Sequence, residues 1–129
     1  MPVLPGQPFI DGILACLTNG VIITDSSDRI TIWNAAAEHI LHLDSRLVLG
    51  KRYQDVFSAF PQLGLIGVVN IERMQHPLGS TVRVSVEGNV PGRGQVNLNL
   101  CIRLLATARQ KYLGMVMVID DRTEMGSRR

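Results

Sequence analysis

Val116-Met117-Val118-Ile119-Asp120-Asp121-Arg122-Thr123-Glu124-Met125 is the stretch on which the fold turns. Its first four residues are apolar without alternation, as in a strand covered on both faces. Asp120-Asp121 ends the run, and the polar residues after it carry a helix-start pattern. Asp121 stands where a carboxylate caps, and Glu124 follows three residues later, where it can bond back to the cap. The spacing predicts a buried last strand that hands over directly to a helix. By Arg129 that helix has only begun, and so short a helix does not fold alone. This predicts an output segment, residues 122–129, leading from a core into something further along.

Working backwards, residues 112–119 are apolar on both faces and read as a central strand. Before them Val96, Leu98, Leu100, Ile102 and Leu104 alternate with Asn97, Asn99, Cys101 and Arg103, which predicts a long half-buried strand. Residues 81–87 alternate too, with Val82, Val84 and Val86 on one face, and residues 88–94 with Pro91-Gly92 supply the turn between these strands. At the front, residues 21–24 and 29–33 are β-branched runs joined by Asp25-Ser26-Ser27-Asp28, a hairpin pattern. Asn34 then caps a helix over 35–41. A short helix is expected over 53–60, and a longer one over 62–75 that Gly64 and Gly67 weaken. At the N-terminus Phe9, Ile10, Ile13, Leu14 and Leu17 form one apolar stripe at helical spacing, stopped by Asn19-Gly20. The sum is an α+β fold: a five-stranded antiparallel sheet with its last strand in the middle, helices on one face, and an N-terminal flanking helix. The expected division is a tail and flanking helix over 1–18, a core over 19–121, and the linker start over 122–129.

Composition narrows the function. The chain has 129 residues, one domain by length, with 46% hydrophobic and 19% charged residues, a soluble globular balance. The net charge of +2 is scattered rather than striped, which argues against nucleic acid as a partner. No apolar run reaches membrane-spanning length, and Met1-Pro2-Val3-Leu4-Pro5-Gly6 lacks the form of a secretory signal. Cys16 and Cys101 match no metal or redox spacing, so the expectation is a cytoplasmic protein with two reduced, packed thiols. Catalytic patterns are lacking: no nucleophile–base ordering, no phosphate loop and no paired carboxylates. Pro91-Gly92-Arg93-Gly94 reads as a tight turn. His39 and His42 could pair on a metal, but nothing completes a ligand set, and a solvated helix face is the better reading.

Three segments in this order resemble a PAS domain. Gly20-Val21-Ile22-Ile23-Thr24-Asp25 followed by Asp28-Arg29-Ile30-Thr31-Ile32-Trp33-Asn34-Ala35-Ala36-Ala37-Glu38 is similar to that family's first two strands and first helix. Leu49-Gly50-Lys51-Arg52 resembles the approach to its next helix. Residues 114–124 resemble the last strand and its Asp-x-Thr linker motif. The resemblance implies a non-catalytic sensory and dimerisation module of bacterial signal transduction. Such a module forms a homodimer and regulates a covalently attached C-terminal effector, here expected to be a sensor histidine kinase. A nucleotide cyclase, or a role purely in protein–protein interaction, stand as alternatives.

The resemblance also implies where function would sit. Ile23, Trp33, Leu63, Ile66, Val69, Leu100 and Met117 become candidates for the lining of a pocket holding an unidentified small molecule, although the same residues describe an ordinary filled core. Asp121, Thr123 and Glu124 become the signal linker, and Phe9, Ile10, Ile13, Leu14 and Leu17 the dimer interface. A cofactor is not expected. The cysteine motif of the flavin photoreceptors is missing, and aromatic residues amount to 5%. The haem-ligand position of the oxygen-sensing subgroup falls near Gly64, while the nearest histidine, His76, precedes Pro77 and is expected in solvent.

Overall fold

Asp25 makes the first turn of the chain's front hairpin. Its carboxylate accepts hydrogen bonds from the amides of Ser27 (2.8 Å) and Arg29 (3.0 Å), the self-capping that suits aspartate to turns. The computed structural model describes residues 18–75 and 78–123, and the hairpin joins β1 (Gly20–Thr24) to β2 (Ile30–Trp33). Asn34 follows at once and does two things. Its Oδ1 accepts from the Ala37 amide, capping helix α1 (Ala35–Leu41), and from the Val21 amide, tying that cap to β1. α1 closes at His42, which takes the left-handed conformation. His42 therefore leaves the helix rather than sharing a face with His39. Among the described residues, no group of three or more His, Cys, Asp or Glu side chains gathers to hold a metal ion.

Helix α2 (Tyr53–Phe57) is shorter than the sequence suggests. The expected helix over 62–75 divides: a 3-10 turn, Pro61–Leu63, ends at Gly64 in the left-handed region, and α3 (Leu65–Gln75) starts afresh. Three long strands follow: β3 (Thr81–Val90), β4 (Gly94–Ala106) and β5 (Tyr112–Asp121). β3 overruns its expected end because Gly88 and Asn89 stay in register opposite Val96 and Gln95, which shrinks the turn to residues 91–93.

All five strands form one antiparallel sheet in the order β2-β1-β5-β4-β3, with β5 at its centre. Ile22, Leu98, Leu100, Ile102, Met115, Met117 and Ile119 are all at or below 1% exposure on the inner face. The helices contribute Ala37, Leu41, Tyr53, Phe57, Leu65 and Val69 to the same cluster. Burying one such large side chain stabilises the fold by about 1.5–3 kcal/mol. On the other face of β5, Val116 and Val118 are only half-buried. Among the described residues, no helix is long and apolar enough to cross a membrane.

Gly114 is where the centre of the sheet comes closest to the hairpin. Its φ is +141°, and a side chain there would run into the Thr24 carbonyl. Beside it the Thr24 hydroxyl, buried, accepts from the Met115 amide at 3.1 Å, next to a register shift between Ile23 and Thr24.

Candidate functional site

The interior between sheet and helices brings together most of the expected pocket residues. Trp33, Leu63, Val69, Leu100 and Met117 lie in the core cluster, and Ile66 packs against it half-buried. Trp33 is a core residue with its one polar atom satisfied, since the indole N–H donates to the Leu43 carbonyl at 2.9 Å. Ile23 is the exception. Ile22 pairs with Met117, whereas Ile23 pairs with Val116 and Ile32, so strand alternation turns it to the opposite face. It therefore does not line the interior.

A polar cluster that sequence reasoning missed lies at the rim of this interior. The backbone of residues 50–53 runs beside the hairpin, with Ile30 N–H donating to the Lys51 carbonyl and Tyr53 N–H to that of Asp28. This places α2 against the turn. The Asp28 carboxylate accepts from the Tyr112 hydroxyl at 2.9 Å, from Gln54 Nε2 at 3.2 Å and from Arg73 Nη1 at 3.1 Å. The Arg73 guanidinium also sits over the Tyr112 ring, 4.5 Å from its centroid. Burial pushes the Tyr112 hydroxyl pKa up, and the hydrogen bond to Asp28 adds to this, bringing it to about 12. Burial works against the Arg73 charge, but the nearby Tyr53 hydroxyl and the Asp28 carboxylate outweigh it and raise its pKa. Gln54 Oε1 is buried without a well-formed hydrogen bond among the described residues, while the Tyr53 hydroxyl faces the Arg73 guanidinium.

The far end of β5 carries the expected linker residues. Asp121 closes the strand, opposite Leu98. Its Oδ1 still accepts from the Thr123 amide, at 3.0 Å, and from the Thr123 hydroxyl. Thr123 Oγ1 in turn accepts from the Asn97 amide at 3.1 Å. Arg93, in the β3–β4 turn, bonds Asp121 Oδ2 at 2.6 Å and the Ile40 carbonyl at the end of α1 at 2.9 Å. Burial tends to raise the Asp121 pKa, but the bonds from Thr123 and the Arg93 cation hold it below the usual carboxylate value. The step from β5 to the linker is thereby fastened to both β4 and α1. Glu124, and the linker helix expected after it, lie outside the described residues.

The outer sheet face bears a shallow groove of about 440 Å³ lined by Asn19, Arg83, Asn99, Cys101, Val118 and Asp120, among others. Cys101 is a free thiol here. The expected interface residues Phe9, Ile10, Ile13, Leu14 and Leu17, and also Cys16 and His76, lie outside the described residues.

Solved structures share this architecture. The PAS domain of an HTR-like protein from Haloarcula marismortui matches with a TM-score of 0.65 and 9% identity, covering 89% of this chain and 90% of that one. A Rhodobacter sphaeroides LOV protein matches with a TM-score of 0.66 and 10% identity, over 96% of this chain and 75% of that one. The PAS domain of the histidine kinase ThkA matches with a TM-score of 0.55 and 25% identity, over 80% of this chain and 99% of that one. No curated relative matches the chain by sequence. The family model described as PAS fold matches residues 9–121, which hold the whole sheet and all the described helices, and the chain belongs to the PAS family.

Proposed function

We propose that this PAS domain is a sensory module. A change in its interior moves the central strand β5, and β5 moves an output segment that starts at Asp121. The effector in this reading is a sensor histidine kinase, as in the protein that carries the ThkA domain, with a nucleotide cyclase as the alternative. The observation that carries the reading is the path of β5. Met115, Met117 and Ile119 are fully buried against the helices, and two residues later the same strand ends in the Asp121–Arg93 pair. A repacking of the interior therefore has a short, stiff route to the exit.

Two copies of the chain are proposed to associate through residues 9–17. In support, Asn19, at the end of that segment, lines the groove on the outer sheet face. A second reading, an interaction module that binds nothing small, is favoured by the close packing of Leu63, Val69, Leu100 and Met117 into one cluster. Native mass spectrometry with an absorption spectrum of fresh protein separates the two, since a retained small molecule supports sensing.

The decisive experiment is Asp121→Ala in the full-length protein. Regulation is expected to disappear while the domain stays folded, and regulation that survives intact overturns the linker mechanism. Removing residues 1–18 is expected to shift the mass seen by light scattering from dimer to monomer. An unchanged dimer overturns that interface.

A further inference from the structure

Helix α3 is anchored unequally along its length. In its first half Leu65 and Val69 are buried, and Ile66 and Val68 pack against the core. In its second half, among the described side chains, Asn70, Ile71, Arg73 and Met74 are all exposed. Among the described side chains, apolar burial thus holds the beginning of the helix much more than its end. The end is held through Arg73, which reaches the Asp28 carboxylate and the Tyr112 ring. The ion pair is partly shielded, with side-chain exposures of 35% and 16%, so solvent and salt weaken it less than a surface pair.

Asp28 is set up to be the hub of this contact. It holds a left-handed backbone conformation with φ 65° in the hairpin turn, and three donors from α2, α3 and β5 converge on its carboxylate. Beneath it, Gln54 Oε1 is buried without a well-formed hydrogen bond among the described residues, and the Tyr53 hydroxyl faces the Arg73 guanidinium. A buried polar atom left in this way costs free energy, and Gln54 Oε1 would gain water if the end of α3 lifted. The closed arrangement is therefore stabilised by the contacts of one side chain, Arg73, and opposed by one unsatisfied polar atom, as expected of an element with two accessible states.

We propose that Asp28, Arg73 and Tyr112 form a latch, and that the second half of α3 is a lid over the rim of the interior which opens when Asp28 releases Arg73. The inference rests on the sensory reading for its purpose, because a lid serves a domain that admits something. The latch itself is measurable without any ligand.

The test is hydrogen exchange followed by mass spectrometry on the whole 129-residue chain, comparing Asp28→Asn and Arg73→Gln with the unaltered protein. Amides of residues 70–75 are expected to exchange about tenfold faster or more in each variant, while β4 and β5 stay unchanged. The double variant is expected to be no faster than the faster single one, because both break the same contact. No acceleration in either variant overturns the latch. Equal acceleration of α3 and the sheet also overturns it, since that marks loss of overall stability rather than local opening. Arg73→Gln lies on an exposed helix face and reports independently of any disturbance that Asp28→Asn causes in the turn. Nile red added to the same samples reads the interior. If α3 loosens and the dye emission stays flat, the latch stands and the reading of the interior as a binding site falls.

Discussion

The central strand is fastened at both ends by an aspartate and an arginine, but the two ends are built differently. At its Tyr112 end the aspartate comes from the hairpin turn and the arginine from α3, and β5 contributes a tyrosine hydroxyl. At its Asp121 end β5 supplies the aspartate itself, and the arginine comes from the β3–β4 turn. A disturbance of the Asp28–Arg73 pair reaches the strand through the Tyr112 hydroxyl and the Tyr112 ring. At the second end, any displacement of the strand is already a displacement of Asp121. The first arrangement suits a closure that can open without dragging the sheet, and the second suits an exit that cannot avoid following it.

Four substitutions put this contrast to the test. The largest effect is expected from Gly114→Ala, which puts a side chain into the Thr24 carbonyl at a positive φ. Overpacking and backbone strain together should cost roughly 3–5 kcal/mol in a urea titration, and a loss below about 1 kcal/mol would show that the first end is loosely built. Asp28→Ala strands three donors and should cost about 2–3 kcal/mol, with loosening concentrated in α3. Asp121→Ala should cost less stability, about 1–2 kcal/mol, yet abolish regulation in the full-length protein, so stability and signalling losses should rank in opposite orders. Tyr112→Phe removes a single hydroxyl and should cost about 1 kcal/mol.

The same contrast predicts opposite pH windows. Tyr112 keeps its proton to about pH 12 in the fold, because burial and the bond to Asp28 disfavour the phenolate. The unfolded chain gives that proton up near pH 10, roughly the ordinary value for tyrosine. This stability contribution is complete below pH 10 and is lost as pH rises towards 12. Asp121 has a lowered pKa, so its contribution is present above the ordinary carboxylate value and is lost as pH falls through the folded one. Urea midpoints measured against pH should therefore fall on both sides. Tyr112→Phe should flatten the alkaline limb and Asp121→Asn the acid limb.

Much of the fold was legible because strands announce themselves by alternation. Val96 to Leu104 by twos, and the unbroken apolar run ending at Ile119, were enough to place β5 at the centre. Asn34 was readable as a cap because a cap is a local event. Ile23 shows the limit of that reading. A run of four β-branched residues has no alternation to reveal which side faces the core, and one position decides it. Gly88 looked like a turn residue, but ten paired positions between β3 and β4 carried the ladder through it. The Asp28 cluster was invisible for a different reason. Tyr112 lies 84 residues from Asp28 and Arg73 lies 45, and no periodicity links them. Asp28 carried the ordinary marks of a turn residue, and its second role exists only after the chain has folded.

The two borders of the sheet bear on assembly. One is β2, four residues long, and the other is β3, whose exposed positions include Arg83 and Glu87. Short or charged borders discourage an incoming strand from continuing the ladder. Copies of this domain are thereby steered away from joining side by side into one continuous sheet. In the proposed dimer the copies would meet through broad surfaces, which can slide or tilt on one another as a hydrogen-bonded ladder cannot.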